Sequence, residues 1–202
     1  MITKDQLASR LVNACTQVRA AEAELTEIDS HFGDADHGLT MVKIANAIQS
    51  AVEESDGSIQ EMLDDAATAV MVLNGGSAVP LWNTWLDGIQ EAAPDADQAT
   101  VADLQAMFAN GLSELADISG AQVGDKTLMD ALIPASEAIA ACTGSVADLF
   151  DEASAAALAG AENSKNFPSK FGRAKSYGDK TIGTPDAGAQ SMAYFFRGLA
   201  QA

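Results

Sequence analysis

Apolar residues recur every three or four positions along most of this chain, which is the spacing of one buried face of an amphipathic α-helix. The first run follows the capping-box pattern Thr3-Lys4-Asp5-Gln6 and continues to about Glu27. Breaks rich in glycine or polar residues separate the later runs. The predicted helices cover roughly 3–27, 39–52, 58–73, 79–92, 100–118, 127–142, 146–162 and 187–200. No segment alternates as a strand would, so the chain is predicted to be all-α with eight helices.

Composition supports a helical protein, because Ala, Leu, Met, Gln and Glu are abundant while β-branched runs are sparse. A chain of 202 residues is predicted to form one domain, residues 1–202. No apolar run approaches the roughly 20 residues of a transmembrane helix, and no signal peptide is visible. Cys15 and Cys142 lie among apolar residues and are interpreted as reduced core cysteines. A cytoplasmic protein is expected.

Charge narrows the choice of partners. The formal net charge of −18 argues against binding to nucleic acid or to an anionic membrane surface. Five of the 11 basic residues nevertheless lie within 16 positions, at Lys165, Lys170, Arg173, Lys175 and Lys180. They fall in 163–186, where helical periodicity is absent. A segment of this length inside a domain is usually functional or disordered, and its aromatic residues favour an ordered, functional segment. The cluster is either an anion site or an ordinary surface loop.

An acidic loop, Asp29 to Met41, holds three carboxylates within eight residues. Asp29, Asp34 and Asp36 are spaced by five and then two positions, which cannot put all three on one helical face. Gly33 favours a tight loop. Crowded carboxylates repel one another unless a cation lies among them, and hard oxygen ligands suit Mg²⁺ or Ca²⁺. The alternative is a solvated acidic loop in which Asp36 caps the next helix.

The helix that follows this loop makes a phosphate site possible, because backbone N–H groups and the helix dipole favour anions at a helix N-terminus. A carboxylate cluster beside such a helix start is typical of a Mg²⁺–nucleotide centre. His37, next to the anionic site, is expected to be held protonated. A second glycine-rich break, 74–77, also precedes a helix, although a plain turn explains it equally well. The sequence contains none of the Gly-x-Ser-x-Gly, His-Glu-x-x-His or Cys-x-x-Cys patterns.

Three blocks of the chain resemble the nucleotide-binding (L) subunit of dihydroxyacetone kinase. The first is Gly33-Asp34-Ala35-Asp36-His37-Gly38-Leu39-Thr40-Met41, and the second begins Gly124-Asp125-Lys126-Thr127. The third combines Gly172-Arg173-Ala174 with 183–189. The blocks keep the order of the family and span nearly the whole chain. The resemblance implies a closed bundle, or barrel, of about eight antiparallel amphipathic helices with the nucleotide site at one end.

The resemblance also implies the residues of the site. Asp29, Asp34 and Asp36 match the aspartates that hold two Mg²⁺ ions, and together with Arg173 they are the expected catalytic residues. Contacts with ADP or ATP are expected from residues on four inter-helix loops. These are His37, Gly38, Leu39, Thr40, Gly76, Ser77, Ala78, Gly120, Thr127, Leu128, Arg173, Asp186, Ala187 and Gly188.

The activity implied is phosphoryl transfer to dihydroxyacetone or a similar small ketose held on a separate K subunit. In one version of the system, a phosphocarrier M subunit recharges ADP that stays bound. In the other version, the subunit exchanges its ADP for ATP. A free-standing chain of this length favours the phosphotransferase-system version, and a homodimer is a further expected state.

Two departures from the family pattern keep other functions open. The usual Gly-Gly-Ser-Ser-Gly loop is altered, because Ala78 and Val79 replace its second Ser and following Gly, and Ala187 stands where the family commonly has Pro. One alternative is therefore a non-catalytic regulatory or partner-binding homologue that retains the metal loop. Another is an ATP-dependent kinase subunit for a different triose or tetrose. A third is an acidic helical bundle that binds Ca²⁺ structurally.

Overall fold

The structure is a computed structural model that describes residues 1–201, and nine α-helices account for most of that range. The helix positions confirm those expected from the apolar periodicity, with one difference. The first expected helix is divided at Ala21, whose ψ of 4° interrupts it. The helices are α1 Lys4–Ala20, α2 Glu22–Ser30, α3 His37–Glu54, α4 Ile59–Met71, α5 Ala78–Glu91, α6 Val101–Ser119, α7 Met129–Ala141, α8 Val146–Asn163 and α9 Ala187–Ala200.

The expectation that the chain has no strand is wrong in one detail. β1 (Ile2–Thr3) pairs antiparallel with β2 (Gln98–Ala99), and Ile2 lies opposite Ala99. Two residues are too few to show the alternation that identifies a strand in a sequence. The pair fastens the N-terminus to the loop between α5 and α6.

The helices pack in a continuous order around an apolar core. From α3 onwards each helix contacts the next one along the chain, α1 contacts α3, and α9 contacts α1. Aromatic side chains fill the centre, where the Trp85 ring lies 5.4 Å from Trp82 and 5.6 Å from Phe195. Both tryptophans are fully buried. None of the helices of residues 1–201 is long and apolar enough to cross a membrane.

The two ends of the bundle differ in how their helices begin. At one end, α1, α4, α6 and α8 all start with complete capping boxes, built on Thr3, Ser58, Thr100 and Ser145. At the other end, in the part of the chain that the structure describes, α3, α5 and α7 start without a side-chain cap. The first amide groups of a helix have no partner within the helix. At this end other groups of the chain act as acceptors: the His37 amide of α3 donates to Asp29 Oδ2 (3.4 Å), and the Met129 amide of α7 donates to Thr127 Oγ1 (3.2 Å).

The residues between α8 and α9, 164–186, form a segment that we call the strap. It contains two short 3₁₀ pieces, Ser164–Asn166 and Arg173–Thr181. Its two ends are joined, because the amide of Asp186 donates to Ser164 Oγ (2.9 Å) and the amide of Gly183 donates to the Lys165 carbonyl (2.7 Å). The strap therefore has regular backbone turns, and its two ends, 164–165 and 183–186, contact each other in what we call the neck. This agrees with the ordered segment expected from its aromatic residues.

The closest approach of α9 to α1 gives a stability prediction. A Cβ atom placed on Gly198 would lie 2.6 Å from the carbonyl oxygen of Asn13 and closer still to Ala14. We expect Gly198→Ala to destabilise the protein by about 1–3 kcal/mol, because the two backbones must separate. Helix propensity alone predicts the opposite sign, since alanine is the better helix former. Thermal unfolding measures the difference, and an unchanged or raised Tm would contradict the packing explanation.

Candidate functional site

A cavity of about 600 Å³ lies at the end of the bundle where the uncapped helices begin. The starts of α3, α5, α7 and α9 contribute to its wall, and so do the ends of α2 and α6 and the middle of the strap. The positive ends of four helix dipoles therefore point toward one volume, which favours an anion there. The predicted residues that line it are Asp29, Asp34, Asp36, His37, Thr40, Gly76, Ser77, Ala78, Thr127, Leu128, Arg173, Asp186, Ala187 and Gly188.

The three aspartates of the acidic loop converge on one wall of this cavity. Carboxylate oxygens of Asp29, Asp34 and Asp36 all lie within 4.8 Å of one another. Asp29 organises the turn, because its Oδ2 accepts from the amides of Asp36 (3.1 Å) and His37 (3.4 Å). A Cβ on Gly33 would overlap the Asp29 side chain, so glycine is required for this turn. Three convergent carboxylates fit a hard divalent cation such as Mg²⁺.

Electrostatic repulsion within the cluster is visible in Asp36. Its burial, and then the neighbouring Asp34 and Asp29, raise the pKa of the Asp36 carboxyl, whereas Arg173 acts in the opposite direction. A bound divalent cation would reverse this balance, because its charge favours the ionised carboxylates. The cluster therefore has the electrostatic character of a cation site.

Arg173 reaches the acidic loop from the strap. Its guanidinium lies 2.8 Å from Asp34 Oδ2, and both side chains are substantially exposed at the mouth of the cavity. Beside this ion pair, the ring of Tyr177 in the strap packs 5.2 Å from the ring of Phe32. These two contacts hold the strap across the cavity mouth.

His37 does not have the state expected from its neighbours. Burial lowers the pKa of its imidazole, and Asp29 opposes this effect without overcoming it. Its Nε2 lies 3.1 Å from Ser191 Oγ, whose own proton goes to the Gly188 carbonyl (2.9 Å). The hydroxyl can then accept a hydrogen bond from Nε2–H. The expectation of a protonated His37 is therefore wrong, because desolvation outweighs the nearby negative charge.

The altered glycine–serine loop retains its place in the cavity wall. Gly76 has open space where a Cβ would be, and Gly76, Ser77 and Ala78 line the cavity. Val79, one of the two departures from the family pattern, is buried in the core and does not line it. The substitution by Val79 consequently takes no volume from the cavity. Ala78 lacks the hydroxyl of serine but keeps its backbone amide at the start of α5.

Three of the predicted residues lie outside the cavity lining. Gly38 packs α3 against α2, since a Cβ there would collide with the Glu22 carbonyl and Thr26. Leu39 points outward and is 53% exposed. Gly120 ends α6 in a left-handed conformation with φ of 63°. The helix pattern placed them near the loops but could not show which way each residue faces.

The structure adds lining residues that the sequence did not single out as site residues. Ile28, Leu81 and Ile118 contribute apolar surface, and Phe171 and Lys126 contribute from the strap and from the loop before α7. Phe171 lies among the basic cluster and Lys126 lies in the second family block, so the sequence pattern could have identified both as site residues. Ile28 and Ile118 read as ordinary helical positions, which gives no signal.

Asp186 caps α9 beside the cavity. Its Oδ2 accepts from the Ala189 amide (2.8 Å). Burial raises the pKa of this carboxyl to about 7, while the cap hydrogen bonds and Lys126 act in the opposite direction. Asp130 adds a further, smaller increase.

Together, the helices and the acidic cavity define an all-α protein with a candidate site for a cation and an anion at one end. The DAK2 domain family matches residues 31–201. Because this match covers most of the chain, the chain belongs to the DAK2 domain family. The family match confirms the resemblance to the L subunit of dihydroxyacetone kinase.

The relatives that are similar to this chain include one of about the same length and one that is much longer. It is 28% identical over 206 residues to the ADP-binding subunit DhaL of the PEP-dependent dihydroxyacetone kinase of Escherichia coli, covering 100% of this chain and 98% of that subunit. It is 32% identical over 202 residues to the D-erythrulose kinase of Mycolicibacterium smegmatis, covering 96% of this chain and 35% of that kinase. The chain thus spans nearly all of the first relative and about a third of the second.

A solved structure agrees with the fold. The dihydroxyacetone kinase from C. freundii, in complex with AMP-PNP and Mg²⁺, matches with a TM-score of 0.71 and 25% sequence identity. The match covers 96% of this chain and 33% of that one. The helical architecture is therefore shared with a kinase whose structure contains a nucleotide analogue and Mg²⁺.

The raised pKa of Asp186 gives a pH prediction. A carboxyl is ionised above about pH 4 in the unfolded chain but only above about 7 in the folded one, so stability falls as pH rises across this window. Asn keeps a capping oxygen without the charge. We expect the free energy of unfolding of Asp186→Asn to rise relative to that of the parent protein as pH increases from about 4 to 8. Each kcal/mol of this difference should raise the Tm of the variant relative to the parent by roughly 2–4 °C. Parallel Tm curves across this range would contradict it.

Proposed function

We propose that this protein is the ADP- or ATP-binding subunit of a dihydroxyacetone-type kinase, built as a single domain in which the helices close into a barrel. It would transfer a phosphoryl group to a small ketose held on a partner K subunit. The observation that carries the proposal is the meeting of three carboxylates and the uncapped starts of α3, α5 and α7 in one cavity. A carboxylate cluster alone would suit many cations, but the adjacent helix starts add a place for phosphate.

Each part of the cavity has a role in phosphoryl transfer. Asp29, Asp34 and Asp36 would hold Mg²⁺, which when bound neutralises phosphate charge and orients the transferred group. Backbone amides of 76–78 and of the α3 start would hold the phosphate oxygens. The Arg173 guanidinium, now paired with Asp34, lies where it can contact a phosphate as well as a carboxylate. The apolar residues Leu81, Ile118 and Leu128 suit the face of an adenine.

A partner surface is supported by the apolar residues around the cavity mouth. Among residues 1–201, the large exposed apolar side chains other than Met1 lie in segments at the cavity end of the bundle, and exposed apolar surface of this kind often marks a protein–protein contact. The apolar rim consists of Leu39, Met71, Val72, Ile118, Val123, Phe171, Tyr177 and Ile182.

Two relatives bear on how the nucleotide is used. The ADP-binding subunits of the PEP-dependent kinase of Escherichia coli and the PTS-dependent kinase of Lactococcus lactis are each covered over at least 97% of their length. From the likeness to these two subunits, we propose the version in which a phosphocarrier recharges bound ADP. The alternative of a regulatory homologue rested on the altered loop, and the burial of Val79 away from the cavity weakens that argument.

The metal loop gives the first functional prediction. We expect Asp36→Ala to lower the affinity for ADP in the presence of Mg²⁺ by at least about 100-fold, because one ligand of the cation is lost. Helical content, measured by circular dichroism, should stay unchanged. Calorimetric titration with ADP and ATP, with and without Mg²⁺, measures the effect.

Asp56→Ala is the matched control, since Asp56 is an exposed aspartate in the loop that precedes α4 at the capped end. It makes the same change in net charge and should bind like the parent protein. Equal loss of binding in both variants would mean that net charge, and not the loop, controls affinity. Undiminished binding by Asp36→Ala would remove the assignment of this loop.

The partner surface gives a second prediction. The protein with Mg²⁺, ADP and a phosphorylated phosphocarrier M subunit should not phosphorylate dihydroxyacetone by itself and should do so when a substrate-binding K subunit is added. Val72→Asp places a charge on the apolar rim, where Val72 is 72% exposed. We expect it to reduce this coupled activity at least about tenfold while nucleotide binding is retained, because the change acts on docking. Full coupled activity of Val72→Asp would exclude this part of the rim from the docking surface.

A further inference from the structure

Lys126 has an unusual combination of backbone and side-chain positions. Its φ is 60°, in the left-handed region that residues with a Cβ rarely adopt. Its side chain is almost completely buried, with 4% exposure. Glycine would fit this backbone with less strain, and lysine is among the residues least often buried. The backbone strain and the burial of the ammonium group both cost free energy, and such a conformation persists only where contacts of the side chain offset this cost.

The Lys126 ammonium group connects to both ends of the strap. Its Nζ donates to the Ser164 carbonyl (2.9 Å) and to the Thr184 carbonyl. Ser164 begins the strap and Thr184 lies two residues before its end, so a single side chain from the loop before α7 holds both. Hydrogen bonds from an ammonium group are roughly twice as strong as those between neutral groups.

The preceding residue fastens the strap at a third point. The Asp125 carbonyl accepts from the Lys170 amide (3.2 Å), and Asp125 Oδ1 lies 2.7 Å from Lys170 Nζ. The Lys170 side chain is 56% exposed, so this ion pair is weaker than the buried contacts of Lys126. From these attachments the strap extends to Arg173 at the mouth of the cavity. The contacts of Lys126 and Asp125 therefore attach the strap to the loop before α7 on both sides of Arg173.

We infer that Lys126 is a positioning residue that fixes the strap over the cavity and thereby sets how slowly bound nucleotide leaves. This inference rests on the proposed function, because it assumes that the cavity holds a Mg²⁺-bound nucleotide. Lys126 acts through the strap: if its side chain were removed, the partly buried Thr184 carbonyl would lose its donor, and the Ser164 carbonyl would keep only the Phe167 amide (3.2 Å). Only the amides of Asp186 and Gly183 would then join the two ends of the strap, so the neck would open more often and the strap would leave the cavity faster.

The test compares Lys126→Met with two matched variants. Lys126→Arg keeps the charge and the donors, whereas Lys180→Met removes the same charge from an exposed strap lysine that has no side-chain partner among residues 1–201. Stopped-flow displacement of a fluorescent ADP analogue in Mg²⁺ measures the dissociation rate. We expect a rise of at least about tenfold for Lys126→Met and of less than about threefold for the other two.

Hydrogen exchange without nucleotide separates this inference from the proposed function. Amides of 164–186 should exchange at least about tenfold faster in Lys126→Met, while those of the α9 interior stay protected. If the parent protein binds no nucleotide, the proposed function fails, whatever the exchange shows. If it binds nucleotide and Lys126→Met changes neither the dissociation rate nor the exchange, this inference alone is overturned.

Lys126→Gly keeps the test decisive if the Met variant does not fold. Glycine suits a φ of 60°, so the variant removes both hydrogen bonds without adding backbone strain. We expect the same acceleration of nucleotide release and of strap exchange. A folded Lys126→Gly variant that releases nucleotide at the rate of the parent protein would overturn the inference.

Discussion

The first amide groups of each helix, which have no acceptor within the helix itself, are the constraint on which this structure depends. Consecutive long helices run in opposite directions, so their starts collect at two ends of the bundle. At one end, capping boxes at Thr3, Ser58, Thr100 and Ser145 satisfy these amides locally. At the other end, within residues 1–201, three helices lack such a cap and surround a cavity. The fold is thus closed with capping boxes at one end, whereas at the cavity end the first amides of α3 and α7 are held by side chains that precede them in the chain, Asp29 and Thr127.

The acidic loop adds the opposite charge to the same end. Three carboxylates next to several positive helix ends make a site that can accept a cation and an anion together, which a Mg²⁺–nucleotide complex supplies. Neither component is well accommodated alone: a cation would face the helix dipoles, and a phosphate would face the aspartates. The ion pair of Arg173 with Asp34 offsets part of the negative charge of the aspartates, since it places one positive charge beside the cluster. We interpret a bound cation and the Arg173 guanidinium of the strap as the positive charges that offset the aspartates and a bound phosphate.

The sequence predicted the helices well because apolar periodicity reports burial directly. It did not show the break at Ala21, where the apolar spacing continues across an interrupted backbone, or the two-residue pairing of Ile2 with Ala99. For the site, short motifs identified most of the residues that line the cavity, but the direction of Leu39 depends on how α3 packs. The neutral state favoured for His37 depends on burial, which no local pattern contains. The neck of the strap rests on contacts between Lys126 and residues some 40 to 60 positions away, and these exist only in the folded chain.

The most direct test of the central claim is an amide chemical-shift titration of the isotope-labelled protein with ADP in the presence of Mg²⁺. The account predicts saturable shifts concentrated at the first residues of α3, α5, α7 and α9, with little change at the four capping boxes. The shifts should be much smaller when Mg²⁺ is omitted. No saturable change at these helix starts, or changes confined to another surface, would contradict the claim that the uncapped end of the bundle is the nucleotide site.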